Sequence, residues 1–484
     1  MSKLIKGLLT TTLLFSAYSQ SNQAQTRPNA EPNNIGELGS FLDRLFAEQM
    51  AREHVPGAVI AIVKDGRIIF TKGYGYANVE RRAPVVPERT IFRIGSITKV
   101  FTATAVMQLA DRGSISMSDD VNRYLRDIRV PNTFPPPVTF ANLLTHTAGF
   151  DEINSGRHAP SAERVLPLKD FLRERLIRIR PPNEISSYGT YGIALAGYLV
   201  ETISGLSYRE YLKRNIFSPL GMERTNVAAV PPNLQADLAT GYTYSGGKYR
   251  PQEFEYFHSF PASDIDSTAS DMTRFMIALL HNGRYGEARI LSERAAEEMR
   301  RQQFTHHLRL AGWAYGFREL YQNGQRALWH GGSMEGYAAL TFLVPQHNWG
   351  IFIACNRETA ALADNVKNAL MDRYFPYQVR PDASGSSPHL RDDISRFAGT
   401  YRTTEYCHSC SGIAETFARR RLAPSFSIRV NKDGTLSLWG ERLIPVEPLL
   451  FKVAGDRGYI AFREDQNGTI TYMLAGQASY ERER

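Results

Sequence analysis

Residues 90–99 read Thr90-Ile91-Phe92-Arg93-Ile94-Gly95-Ser96-Ile97-Thr98-Lys99, and they lead into Val100, Phe101, Ala103, Ala105, Val106, Met107 and Leu109. Apolar residues nearly all round a helix mean burial on every side, and Gly113 ends the run, so the pattern predicts a core helix over 98–112. Its first turn carries polar groups that packing does not need. A Ser96 hydroxyl at the helix start lies where free N–H groups and the helix dipole favour negative charge, and Lys99, three residues on, shares its face. One turn therefore supplies a nucleophile and an amine. The spacing alone is weak: Ser245-Gly246-Gly247-Lys248 repeats it among Gly and Tyr, in a turn with no helix behind it.

Upstream, Leu38, Phe41, Leu42, Leu45 and Phe46 fall on one helical face, with Asp43, Arg44 and Glu48 off it. Gly57 to Lys64 and Arg67 to Gly73 then flank Asp65-Gly66, which predicts two antiparallel strands joined by a tight hairpin. Downstream, about 116–300 reads as helical fragments and long loops interrupted by Pro131, Pro135-Pro136-Pro137 and Pro181-Pro182. Strand signals return at Tyr315 to Tyr321, Arg326 to His330, Tyr337 to Val344 and Trp349 to Cys355, followed by a helical stretch from Ala360 to Tyr374. Strands and helices at both ends of this region bracket a central helical insertion. That predicts one α/β domain whose termini share a sheet.

The whole chain has 484 residues, 43% hydrophobic and 22% charged, with three Cys, which excludes disordered, collagenous and disulfide-scaffold classes. Length alone predicts two or three domains. The +8 charge comes from 57 Lys+Arg spread among 49 Asp+Glu, a generally basic surface without a nucleic-acid stripe. Lys3 and Lys6 precede an apolar run, Gly7 to Ala17, too short for a comfortable span. It reads as a secretory signal over 1–24, cleaved after Ser19 or Ala24, with an uncleaved short anchor as the alternative. No later stretch is apolar enough to cross a membrane, so a soluble periplasmic or secreted protein is expected. A Pro/Ser/Gly-rich segment, 378–390, reads as a linker between 25–377 and a second domain, 391–484. There, Phe426 to Val430, Leu436 to Trp439 and Tyr459 to Phe462 alternate with turns, predicting a small all-β barrel or sandwich.

Other candidates read as structural. His146, in a compact turn with no Asp partner beside it, reads as a loop-organising hydrogen-bonder. Arg173 to Arg180 and Arg419-Arg420-Arg421 read as solvated faces, and Cys355 as a small buried hydrophobe. Cys407-His408-Ser409-Cys410 is no haem site and no complete zinc set. In an exported chain it reads as a local disulfide, with free or metal-binding thiols as alternatives. No metal site is expected.

Four segments occur in order: Thr90 to Lys99, Leu143-Leu-Thr-His-Thr-Ala-Gly149, Tyr188-Gly-Thr-Tyr-Gly-Ile-Ala-Leu-Ala-Gly197 and Trp329-His-Gly-Gly-Ser-Met-Glu-Gly336. Over about residues 35–375 the chain resembles the serine β-lactamase and penicillin-binding-protein family, especially its class C β-lactamase, esterase and D-aminopeptidase branch. The C-terminal stretch, opening Phe397-Ala-Gly-Thr-Tyr401, is similar to the lipocalin-like β domain of some members. The resemblance implies an antiparallel sheet flanked by helices plus a helical subdomain, and no metal or organic cofactor. It implies Ser96 as the acylated nucleophile, Lys99 as its neighbouring amine and Tyr188 as the proton-shuttling tyrosine. His330, Gly331 and Gly332 would form the substrate-facing strand, and the Ser96 and Ser333 amides the oxyanion hole. Where the family commonly has Tyr-x-Asn this chain has Thr190, too short to supply an amide's paired donor and acceptor. The expected activity is therefore hydrolysis of small acyl, ester or D-amino-acid peptide substrates, cell-wall-derived peptides among them. A D-alanyl-D-alanine carboxypeptidase, a true β-lactamase and a penicillin sensor with little turnover are the rivals. Oligomeric state and the identity of the base, Lys99 or Tyr188, stay open at this level.

Overall fold

The run Gly57–Lys64 shows why the sheet is central. In this computed structural model, which describes residues 35–153, 155–376, 394–410, 425–455 and 458–483, it forms β1 with Ala58 to Val63 all buried. Side chains alternate across a strand, so Val59, Ala61 and Val63 enter one core while Ala58, Ile60 and Ile62 enter another. A strand apolar at every position must be covered on both faces. On one face lie α1 (Ile35–Arg52) and α5 (Ala361–Tyr374), the two ends of the domain. The other face carries α2 (Thr98–Asp111), α3 (Tyr191–Ser204), α4 (Ala269–Leu280) and the helical insertion.

The sheet has eight antiparallel strands. Its order is Trp313–Ala314, β3 (Phe317–Gln322), β4 (Gln325–Met334), β5 (Tyr337–Val344), β6 (Trp349–Cys355), β1, β2 (Arg67–Asn78) and Ala83–Pro84. β1 pairs with both β6 and β2, so the N- and C-terminal parts of the domain do share a sheet. Asp65 and Gly66 both adopt positive φ, 48° and 74°, as the hairpin reading requires. Ser245-Gly246-Gly247-Lys248 is likewise a hairpin turn, Gly246 and Gly247 having φ of 59° and 76°.

The C-terminal part is a closed barrel of eight strands in sequence order, from β7 (Gly399–Thr403) to β14 (Ala478–Arg482), with those two closing it. Its core centres on Tyr401, Leu436, Phe451, Phe462 and Met473. The expected leader, the 378–390 linker and Arg419 to Arg421 lie outside the described residues. Among the described residues no helix is long and apolar enough to cross a membrane.

One reading needs correction. Arg178 and Arg180, expected on a solvated face, are only 4% and 5% exposed. Arg178 donates to the carbonyls of Pro131, Phe134 and Pro136, capping the proline-rich loop. Arg180 reaches His408 and Glu481 of the barrel. Local sequence shows only a run of charge; tertiary packing supplied the acceptors.

Candidate active site

Ser96 sits in a single 3₁₀ turn, Gly95–Ile97, that runs directly into α2. Lys99, 2% exposed, places Nζ 3.0 Å from Ser96 Oγ and donates to the Ala262 carbonyl at 2.7 Å. Beneath this turn Arg93, fully buried, bridges Asp264 and Asp266, tying the segment before Ser96 to the one that follows Ala262. Such a triad holds register because breaking it strands a buried charge.

Two glycines let strand β4 lie against this turn. A Cβ on Gly332 would stand 1.9 Å from the Ile94 carbonyl oxygen and 3.2 Å from the Ser96 nitrogen. Gly95, with φ +53°, would put a Cβ 2.9 Å from the Ser333 nitrogen. The interlock brings β4 at Gly332 and Ser333 into close backbone contact with the turn that carries Ser96. Gly331, by contrast, has ordinary room, its nearest neighbour being a Trp329 ring carbon at 3.6 Å.

Tyr188 presents its ring face to Lys99 Nζ, 5.0 Å from the centroid. It is held between His146, Trp313 and His330, with ring centroids 4.6, 6.1 and 6.0 Å away from its own in the case of His146, Trp313 and His330 respectively. His146 accepts the Gly189 N–H at Nδ1, 3.2 Å away, and its carbonyl accepts the Ser187 N–H, so it organises the loop carrying Tyr188. His330 is 2% exposed, and its Nδ1 lies 2.7 Å from the Gly331 carbonyl, a contact that puts the proton on Nδ1. Burial, with Lys99 and Arg318 nearby, pulls both imidazoles well below their ordinary value. His330 thus enters the cleft as a neutral ring, and Nε2 has no partner among the described residues.

Thr190 lies at the cleft wall, but its polar groups are engaged. Its N–H donates to Glu152 Oε2 at 2.9 Å, and its hydroxyl accepts from Arg157 Nη1 at 3.1 Å. Four further residues shape the cleft without any motif to announce them. Glu152 and Arg157 pair at 2.9 Å beside Thr190. Arg318 lies over the rings of Tyr188, Trp313 and Trp329 at 4.7, 4.8 and 5.7 Å. Glu358 accepts from Ser333 Oγ at 3.0 Å, and burial raises its carboxyl above the ordinary range. A glutamate one turn past the last strand of a sheet has no sequence signature; only the β4–β5–β6 meander brings it to Ser333.

Cys407 and Cys410 form a disulfide on the barrel, and Cys355 is free and buried. Among the described residues no group of three or more His, Cys, Asp or Glu converges as a metal set.

A family model described as Beta-lactamase matches residues 42–374. The chain is 30% identical over 239 residues to the putative penicillin-binding protein PbpX of Bacillus subtilis (strain 168), covering 49% of this chain and 57% of that one. It is 23% identical over 326 residues to Protein flp of Staphylococcus aureus (strain N315), 65% of this chain and 62% of that protein, so the match spans about three-fifths of that relative's length. Among solved structures, the octameric penicillin-binding protein homologue from Pyrococcus abyssi is 26% identical with TM-score 0.61, covering 92% of this chain and 99% of its own. A class C beta lactamase from Rhodobacter sphaeroides shares the fold at 21% identity and TM-score 0.58, over 68% of this chain and 98% of its own. With a family match over most of its length and the Ser96–Lys99 turn interlocked with β4 through glycines, the chain belongs to the beta-lactamase and penicillin-binding-protein-like family of serine hydrolases.

Proposed function

We propose that this protein is an exported serine hydrolase that works through a Ser96 acyl-enzyme on small acyl, ester or D-amino-acid peptide substrates. The observation that carries the reading is the Lys99 amine 3.0 Å from Ser96 Oγ, on a turn packed against β4, where the Ser96 and Ser333 amides would form the oxyanion hole. Ser96 Oγ attacks the acyl carbon, and the carbonyl electron pair moves onto oxygen between the two amides. The hydroxyl proton passes to Lys99 or Tyr188. The tetrahedral species collapses, the bond to the leaving group breaks, and that group departs with the proton. Water repeats the sequence on the acyl-enzyme and frees Ser96. The leader-like first residues and the Cys407–Cys410 disulfide support an oxidising, exported setting.

Labelling with a fluorophosphonate tests the nucleophile: wild type takes the label, Ser96→Ala does not. Full labelling of the variant would reject Ser96.

β-Lactam turnover is the second reading, because the family includes it, but two contacts weigh against it. Thr190 is committed to Glu152 and Arg157, and Glu358 beside Ser333 repels an anionic substrate group when ionised. Thr190→Asn is expected to speed nitrocefin cleavage relative to p-nitrophenyl ester cleavage. Faster nitrocefin cleavage by wild type than by the variant would reverse the argument.

A further inference from the structure

Arg318 carries a positive charge that no carboxylate answers. On β3 it stands opposite Trp313 on one side and Trp329 on the other, so strand register sets the three side chains in one row across the end of the sheet. The guanidinium lies over both indoles and over the Tyr188 ring, 4.7 Å from the centroid of the latter. Among the described residues it closes no hydrogen bond and no ion pair. An arginine held by aromatic faces instead of carboxylates keeps its whole charge for the groups around it.

Those groups include the residues that handle the proton. Lys99 Nζ meets the same Tyr188 ring, 5.0 Å from its centroid, and stands 3.0 Å from Ser96 Oγ. Two cations therefore share one phenol ring. The remaining rings around Tyr188 bring no charge. His146 accepts the Gly189 N–H at Nδ1, Trp313 does not titrate, and His330 has Nδ1 on the Gly331 carbonyl with no acceptor for a proton on Nε2. Of the carboxyls, Glu152 is paired with Arg157, and Glu405 of the barrel, which feels the Arg318 charge, is pushed by burial toward its neutral form. Attack by Ser96 requires Lys99 or Tyr188 to take up a proton. A fixed positive charge beside them disfavours the form that already holds it and so favours the form that can accept.

Resting on the hydrolase reading above, we propose that Arg318 is a positioning residue for proton transfer: its fixed charge on the ring face of Tyr188 keeps the Tyr188–Lys99 pair able to take the Ser96 proton. The charge comes from β3, one strand away from the strand that carries His330.

The test labels the full-length protein with a fluorophosphonate over a range of pH and reads the rate. Arg318→Met keeps an apolar stem on the rings without the charge. It is expected to move the midpoint of the rise in rate upward by about one pH unit and to approach the wild-type rate at the alkaline end. Arg318→Gln, a second neutral variant, carries the same expectation, so misfolding of one leaves the other to decide. Arg318→Lys keeps a charge and should hold the midpoint near that of wild type. A rate lowered equally at every pH, with the midpoint unmoved, means that Arg318 only packs the wall and overturns the assignment. So does a loss confined to an anionic substrate. If Arg318→Met slows cleavage of the p-nitrophenyl monoester of glutaric acid but not of p-nitrophenyl butyrate, and the midpoint stays, Arg318 binds substrate and does not govern the proton. The two readings fail differently. If wild type takes no label, the hydrolase reading falls and this assignment with it. If wild type takes the label and neither neutral variant moves the midpoint, only Arg318 is rejected.

Discussion

Adjacent glycines in the Trp329–Gly336 segment have unequal duties. A methyl group at Gly332 meets the Ile94 carbonyl at 1.9 Å, and the atoms it meets are backbone that cannot swing aside, whereas at Gly331 it makes ordinary contact with a Trp ring. Gly332→Ala must therefore push β4 away from the Ser96 turn and pull the two amides apart. Labelling by fluorophosphonate is expected to slow by about 100-fold, the cost of losing an oxyanion donor. Stability is expected to fall by about 1–3 kcal/mol from overpacking. Gly331→Ala should label at the wild-type rate, and equal rates for the two variants would mean the interlock does not set the oxyanion pair. Both glycines were visible in the sequence. Which of them carries the contact was not, because that depends on the carbonyl of a residue more than 200 positions away.

Between elements, the Cys407–Cys410 loop acts as a latch from barrel to catalytic domain. Burial alone would raise the Asp151 carboxyl, but bonds from His408 and Ser409 hold it well below the usual range. Burial likewise acts against Glu481, which bonds from His408 and Tyr406 bring down to about 2. Burial lowers His408, and its bonds to Asp151 and Glu481 outweigh that and raise it. The signs give a window. The carboxylates contribute stability above their ordinary values of 3.8 and 4.5, and lose it as pH falls through the lowered ones. His408 contributes fully below 6.5 and loses its share as pH rises through its raised value. The latch is strongest between the two limits. Hydrogen exchange of the Thr404 to Ser409 amides, corrected for intrinsic rate, should show most protection near pH 5.5 and less near pH 9, and Asp151→Asn or reduction should loosen it throughout. Flat protection across that range would show that the charges do not hold the loop. A Cys-x-x-Cys is legible in sequence; its seat on Asp151, 257 residues away, is not.

Across the whole molecule the barrel is fused to the catalytic domain, since Ile185 and Leu310 of the one pack with Leu450, Ala461 and Leu474 of the other. Around them Ser186 donates to the Gln477 carbonyl and accepts from Ser479 Oγ, both at 2.6 Å, and Gln477 Nε2 reaches the Gly312 and Glu319 carbonyls. Ile185 is two residues from Ser187 and three from Tyr188, so the same segment docks the barrel and carries the cleft wall. Calorimetry should give one unfolding transition for wild type, and Ile185→Asp, which buries an unpaired carboxylate in this contact, should split it in two. Two transitions in wild type would mean that the domains are energetically separate.

The sequence by itself determined what is local. An apolar run fixed the doubly covered β1, Asp-Gly fixed its hairpin, and three-residue spacing put Lys99 on the face of Ser96, because backbone periodicity sets each of these within a turn or two. Segments met in order also marked the family and the barrel. Only the tertiary structure decided that His330 is buried in the cleft, that Thr190 is occupied, that Arg178 and Arg180 are buried, and that Arg318 and Glu358 line the cleft. Those outcomes depend on desolvation and on charges brought together by packing across hundreds of residues, and a side chain's local sequence records neither.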